Sequence, residues 1–589
     1  AQGNVKITGG TFTPADSAFV LAKEGAMTAD LGNAAFHDLV VGKASGSVAF
    51  AGGFRAAAFT AEPQAAAAFS FAPGPVYEAN EWVLNGTTPG GTAGLVLASA
   101  APGQAWSLKA NALARVEGVA VSDSDASAGL AVVAGSPAGN GGNNTHWIFD
   151  VKTARWTGGA GTADFAEPQN WSGNARPDAR TRLMIDGSAK IDVAGAETVY
   201  DIMTAAGAEA SFWGAGSIHV CESLDAAAGT LEFNVPVVVS NNVFVRPGAA
   251  ISHSTNSSYV VGTDPNDVSL FRRLFLTVHG DLTVEEGGRI HADSKGWKAV
   301  GGGSSGAGAG GPARHASGGA HGGRHCGDSL AATLPCYGSI TEPTALGSSG
   351  NATYSAKNPG GSLRIDVKGT MTVNGEVTAN VNAGDWYNSA GGSVWISAHR
   401  LMGAGKIAAN GGNVVNNAPG GGGRVAVTQS GADDFSAFTG SITAYGGRTL
   451  TDNAVPTAGA GTVYLKSRAE ESAQVVIDND LSGYYRITDL VPTNYPGNVK
   501  ALWNIPYVIR RGGRGVVIVD SAIGDFDFPA GLEGYLYLNG RTLTLRSLTH
   551  CNKQTLNGIY SPTWPSGRIV TGTGGKIVWV KRGFMLILQ

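Results

Sequence analysis

Charge is scarce in this sequence. Only 15% of the residues are Asp, Glu, Lys or Arg and the formal net charge is −4, against about 25% charged residues in an average soluble domain. So weak a balance gives no long-range field for nucleic acid or an acidic membrane, and nucleic-acid binding is set aside. Long apolar runs are missing too. No stretch approaches the ~20 residues that a membrane-spanning helix needs, and the nearest, IVWVKRGFMLILQ at 577–589, contains Lys581 and Arg582. The chain is therefore expected not to span a membrane. The opening AQGNVKITGG has neither a basic start nor an apolar core, as expected of a secreted chain whose leader has been removed. There is no nucleotide-binding loop, no H-E-x-x-H helix and no G-x-S-x-G elbow, and no cofactor is expected. Cysteine is confined to Cys221, Cys326, Cys336 and Cys551. Cys326 and Cys336 bracket GDSLAATLP, a separation that suits a loop-closing disulfide in an oxidising compartment. Cys221 and Cys551 read as buried thiols, with a second bridge left open.

Glycine, by contrast, is abundant. There are 88 in 589 residues, about twice the usual share of roughly 7%, while the 43% of apolar residues is enough for a folded core. Internal similarity is the strongest signal. The stretches GGSLRIDVKGTMTVNGEVTANVNAG (360–384), GGSVWISAHRLMGAGKIAANGG (391–412), GGGRVAVTQS with FTGSITAYGG (421–430 and 438–447) and GAGTVYLKS (459–467) each open on glycine. Each then alternates as a strand: Leu363, Ile365 and Val367; Val394, Ile396 and Ala398; Val425 and Val427; Val463 and Leu465. A second strand carries Val377, Ile407 or Ile442, and LFLTVHGDLTVEEGGRIHADSKG (274–296) repeats the unit with Ile290 in that place. Leu363, Val394 and Val425 are about 31 residues apart, the spacing of stacked repeats. One unit cannot bury its apolar face alone, whereas a stack of parallel rungs can. The run GGGSSGAGAGGPARHASGGAHGGRHCG (301–327) falls between two such units. It is expected to be an ordered side loop, its glycines turning with positive φ or packing closely for want of side chains.

The N-terminal third is β-like, with turns every eight to twelve positions. It leads into a stretch containing Trp106, Val116, Val119, Val121, Asp123, Ser124, Ala126, Ser127, Gly129, Gly142, Asn143, Asn144, Thr145 and Trp147, and then Trp156, Thr157, Gly158, Asn170, Trp171, Ser172, Gly173 and Pro177. These residues resemble the patterns W-x-L…V-x-x-V-x-V-x-D-S-x-A-S-x-G…G-N-N-T-x-W and W-T-G…N-W-S-G-x-x-P of the large repetitive β-solenoid surface proteins of bacteria, including adhesins and autotransporter-like passenger regions. The glycine-opened repeats of 269–467 resemble the same group. The resemblance covers roughly 100–470 and implies an extracellular, cell-surface location without fixing an activity.

The region after 470 is rich in aromatic and β-branched residues. Its last segment is apolar on both pleat faces through Ile577, Val578, Trp579 and Val580, and again through Phe584, Met585, Leu586, Ile587 and Leu588. Such a strand needs burial on both sides, either within its own domain or at an open edge of another subunit. At the other end NVKITGG presents Val5 and Ile7 as an accepting edge. A contact of this head-to-tail kind propagates as a homo-oligomer or polymer.

Chemistry is thinner. His315, His321 and His325 are weak candidates for a metal, at no standard ligand spacing. Adjacent pairs such as Glu285–Glu286 and Asp433–Asp434 point to opposite strand faces, so Asp525 and Asp527 in GDFDF are the better carboxylate pair for glycoside hydrolysis. His279, Arg289, His291 and Lys295 could supply a base and positive charge for cleaving an acidic polysaccharide, with Arg289 and His291 on one face. Trp386 and Tyr387 are candidates to stack on sugar.

The expected fold is all-β: a right-handed parallel β-solenoid with Gly-rich loops and flanking β-rich end regions. The textures divide at 1–150, 151–268, 269–468 and 469–589. The expected role is that of an extracellular structural protein, a cell-surface or filament-forming subunit. The alternatives are a secreted β-helix polysaccharide lyase or glycoside hydrolase and a monomeric glycan-binding adhesin.

Overall fold

The structure is a computed structural model. It describes residues 1–8, 17–86, 93–111, 114–129, 131–135, 137–258, 264–265, 267–298, 307–311, 317–326, 336–351, 358–384, 386–450, 457–469, 473–480, 486–490, 505–517, 520–527, 534–545, 569–570, 572–581 and 584–588. Among these the chain is nearly all β, with large parallel sheets and, as helix, two single 3₁₀ turns at Pro168–Asn170 and Val268–Leu270. Among the described residues no helix is long and apolar enough to cross a membrane. Contacts gather the chain into two compact units, Ala1–Ala154 with Pro177–Leu183, and Arg155–Arg176 with Met184–Gln589. The texture changes at 268 and 468 both fall inside the second.

In the first unit two strands of 16 residues, Ala26–Val41 and Gly46–Ala61, run parallel. Their register shifts between Asp30 and Ala34, where Gly32 and Asn33 both have positive φ and bend the strand. Alternate side chains meet in an aromatic core: Phe50 stacks on Phe71 at 5.0 Å and Phe71 on Trp106 at 4.0 Å. Polar tips in this core are satisfied, Tyr77 donating to the Phe50 carbonyl at 3.0 Å and Trp106 to the Ser122 carbonyl at 3.1 Å, as burial demands. Val5–Lys6 and Ala18–Leu21 both lie on the same edge of the Ala26–Val41 strand. The D-S…G-N-N-T-x-W pattern is a turn lock. Asn143 donates to Asp123 at 2.9 Å, Asn144 accepts from the Ser124 N–H at 3.1 Å, and the Trp147 indole donates to the Ser124 hydroxyl at 3.0 Å.

In the second unit the W-T-G and N-W-S-G residues form a small closed loop. Asn170 is wholly buried, its side chain donating to Thr162 and to the Asp164 carbonyl at 2.9 Å each and accepting from Ala160 at 3.1 Å. Trp156 meets Trp171 edge to face at 5.0 Å. Beyond it parallel strands succeed one another in register, with a shift between Val367 and Thr370. Leu363 pairs with Val394, Val394 with Val425 and Val425 with Val463. A separate eight-stranded parallel sheet takes one strand from each rung, from Ser188–Asp192 to Ser441–Thr443, and aligns Ile290, Val377, Ile407 and Ile442. The corner after each of these strands is held by a side-chain ladder. Asp293 accepts from the Asn380 N–H at 2.7 Å, Asn380 from Asn410 at 2.8 Å, and Asn410 from Tyr445 at 2.7 Å.

The glycine-rich segments pack as a layer against these rungs. Gly319 donates to the Asn388 carbonyl and Gly421 to Gly319, both at 2.9 Å, while Gly323 donates to Gly422 at 2.8 Å and Gly422 to Gly459 at 2.9 Å. A Cβ at Gly319 would lie 1.9 Å from the Ser348 oxygen, and one at Gly420 1.8 Å from the Ser389 oxygen. None of Gly319, Gly323, Gly420, Gly421 and Gly422 adopts positive φ. In these positions close approach, not turning, is what glycine supplies. The described part of the 301–327 run is thus an ordered, buried layer.

The chain then reverses. Gln474–Ile477 pairs antiparallel with Thr462–Lys466, and a second core forms around Tyr464, Ile477, Tyr507, Phe526, Leu536, Leu543 and Ile577. The terminal apolar segment is two strands. Lys576–Lys581 pairs parallel with Thr542–Leu545 and antiparallel with Phe584–Leu588.

Candidate functional site

Several expected sites are redrawn. Cys326 and Cys336 are not bridged. Cys326 packs with Tyr387 and Ala418. Cys336 is fully buried, its N–H bonded to Asp489 at 2.8 Å, and burial, reinforced by Asp489, pushes its thiol up to about 12. Anchored in different surroundings, the two do not close a ring. Trp386, at a bend, and Tyr387, in an isolated bridge to Ala418, are not presented together. Trp386 is 48% exposed but Tyr387 only 5%, its hydroxyl accepting from Asn417 at 2.8 Å; no stacking pair exists.

His321 and His325 are both buried, His315 lies outside the described residues, and no metal-binding group of His, Cys, Asp and Glu occurs among the described residues. His321 lies against the Tyr337 ring at 4.7 Å, with Nδ1 2.8 Å from the Gly391 carbonyl. Burial, then the nearby Arg424, lowers its pKa to about 3. Asp525 and Asp527 sit on a strand pairing with Pro506–Ile509; their side chains lie outside what the structure describes.

Arg289 and His291 do share the outward face, flanking buried Ile290, and the structure adds residues that the sequence reading missed. The outward side chains of Glu209–Trp213, Gly229–Phe233 and Arg289–His291 enclose a cleft of about 440 Å³ lined by Glu209, Ser211, Thr230, Glu232, His291 and Lys295. His279 is exposed and does not reach it. Lys295 Nζ is 2.6 Å from Glu232 Oε1, and Ser254 donates to Oε2 at 2.6 Å. Burial pushes the Glu232 carboxyl up, but the bonds from Lys295 and Ser254 outweigh it and hold the group below its ordinary value. Burial also lowers the His291 pKa, against the opposing pull of Asp293, and its Nδ1 is buried without a partner. Beneath, His253 is fully buried. Its Nδ1 lies 2.9 Å from the Ser254 carbonyl and its Nε2 accepts from the Ser362 N–H at 3.2 Å, a pattern that requires the neutral ring.

At the other end of the same strand, Arg289 is bonded to Asp293 at 2.7 Å and to Glu376 at 3.1 Å. It borders a shallow trough of about 640 Å³ that runs past Glu376, Lys406 and Ser441 over stacked Gly288, Gly375, Gly405 and Gly440. The strand alternation Glu209, Ser211 and Thr230, Glu232 was the available signal for the missed residues. They lie before residue 269, outside the recognised repeats.

The two outer edges are the remaining feature. Among the described residues, Val5–Lys6 and Ala18–Leu21 have one neighbouring strand, Ala26–Val41, and Phe584–Leu588 has one, Lys576–Lys581; on the outer side of Ala18–Leu21, Ala1 donates to the Val20 carbonyl and accepts from the Ala22 N–H. Val5 and Ile7 are half-buried against the first unit's core. No family model matches the chain, and no curated protein or solved structure matches it.

Proposed function

We propose that this chain is an extracellular structural protein of the bacterial cell surface, a right-handed parallel β-solenoid that assembles through its terminal strands as the surface proteins it resembles in sequence would allow. One observation carries the reading. The strands Ala18–Leu21 (AFVL) and Phe584–Leu588 (FMLIL) contain no charge and no proline, the devices that ordinarily block edge-to-edge pairing, and among the described residues the outer edge of the first is met only by Ala1, which a partner strand would displace. Pairing one with the other in a second copy is heterologous and would propagate. Because Phe584–Leu588 already pairs with Lys576–Lys581, the contact would use its outer edge and not strand donation.

Electron microscopy of the full chain, of a chain ending at Gly575, and of Val20→Lys tests this. Val20 is 38% exposed, so lysine there guards the edge without entering the core. Filaments from the full chain and none from either folded variant are expected. Monodisperse particles from all three would overturn it.

The enzymatic alternative has one observation in its favour, the cleft beside His291. Its cations are already matched by Glu232, Asp293 and Glu376, which leaves little positive charge for a uronate.

A further inference from the structure

The outward face of the eight-stranded sheet carries a feature that assembly does not use. The cleft of about 440 Å³ and the trough of about 640 Å³ border on the same strand, Arg289–His291, one beside His291 and the other beside Arg289. Register aligns Glu209 with Thr230, Thr230 with Ala250, Ala250 with Arg289, Arg289 with Glu376, Glu376 with Lys406 and Lys406 with Ser441. A row of polar groups thus crosses the strands, one per rung except at Ala250, at the spacing of about 4.8 Å between neighbouring strands.

Two of the cations that border the furrow are paired from inside, whereas Glu209 and Lys406 stand in the row without an ion pair among the described residues. Lys295 is bound to Glu232, and Arg289 to both Asp293 and Glu376. In the cleft a carboxylated ligand would have to break these pairs and meet Glu209 as well, and in the trough it would find one further cation, Lys406, beside Glu286 and Glu376. A nucleic acid or phosphate chain meets the same obstacle. What the furrow offers is hydroxyl, carboxylate and imidazole hydrogen-bonding capacity: Ser211, Thr230, Glu209, His291 and, beyond the strand, Ser441. The stacked glycines of the trough floor pack main chain on main chain, a Cβ at Gly375 falling 2.2 Å from the Gly288 oxygen and one at Gly440 2.0 Å from the Gly405 oxygen, so the floor itself is backbone. A chain of uncharged polyhydroxylated rings matches that inventory, because each ring both donates and accepts and brings no charge to be desolvated.

We propose that this furrow binds a neutral polysaccharide chain laid across the strands, with the Glu209–His291 cleft holding one sugar unit and the trough its continuation. The proposal does not depend on the assembly reading, since the furrow lies on a sheet face and the edges do not contribute to it.

Isothermal titration calorimetry on the full chain tests it. The probes are four neutral hexasaccharides (β-1,4-linked glucose, β-1,4-linked mannose, β-1,3-linked glucose and β-1,4-linked N-acetylglucosamine), their trimers, and hexagalacturonate. At least one neutral hexamer is expected to bind more tightly than its trimer and than hexagalacturonate. Thr230→Trp and, separately, Ser211→Trp, which fill the cleft from outward-facing positions, are expected to weaken it tenfold or more at an unchanged urea midpoint. Absence of binding by every neutral hexamer overturns the proposal, as does preference for hexagalacturonate. Undiminished affinity in the folded tryptophan variants places any binding elsewhere and overturns it equally.

Discussion

Single residues decide more here than the low complexity of the sequence suggests. A Cβ at Gly461 would fall 1.8 Å from the Gly423 oxygen, whereas one at Gly187 would meet nothing within 4 Å. Gly461→Ala is therefore expected to cost about 2–3 kcal/mol, as overpacking does, and Gly187→Ala close to nothing; urea midpoints compare the two. The buried histidines set a pH dependence. His253 is lowered to about 4 and His321 to about 3 from 6.5, chiefly by burial. On acidification the unfolded chain takes up these protons first, so the stability present above 6.5 is lost as the pH falls towards those values. Each histidine is expected to remove about 1 kcal/mol between about pH 7 and about pH 5.5. His321→Phe should flatten that slope in urea titrations, and an unchanged slope would contradict the assignment. None of this burial was legible from composition. His321 was singled out as a ligand candidate because a histidine among glycines resembles a metal site until its surroundings are known.

At the scale of elements the sequence was far more informative. Leu363, Val394 and Val425, spaced as repeats, are direct neighbours, and Ile290 stands where Val377 does in the next rung. A period-two pattern read against a fixed repeat length sets register, because a slip by one residue would turn every buried side chain outward. The corner ladder was not legible, since an Asn before a glycine turn carries no mark of what it accepts. Asn410→Ala removes the acceptor of the Tyr445 N–H and is expected to cost about 1 kcal/mol in chemical denaturation; no loss would show that water replaces the side chain there. The reversal at Gln474–Ile477 and the hairpin of Lys576–Lys581 with Phe584–Leu588 were also invisible. Strands apolar on both faces pair as readily parallel as antiparallel, and pattern alone does not separate the two.

Over the whole molecule, separate cores follow the two compact units. Phe50, Phe71, Trp82 and Trp106 lie in one core, and Ile477, Tyr507 and Leu543 in another. Heating is expected to give at least two calorimetric transitions, and a single one with equal van't Hoff and calorimetric enthalpies would show that the cores melt together. Against the parallel strands lies the layer of glycine segments, such as Gly318–Gly323 and Gly420–Gly423, which belong to no strand. They hold their neighbours through main-chain bonds such as Gly421 to Gly319 and Gly422 to Gly459. Far-ultraviolet circular dichroism, which reads extended unladdered backbone much as it reads a denatured chain, will under-report the order of this protein. Deuterium labelling will not: amides in stretches that look like linkers are expected to resist exchange for as long as those of the strands beside them.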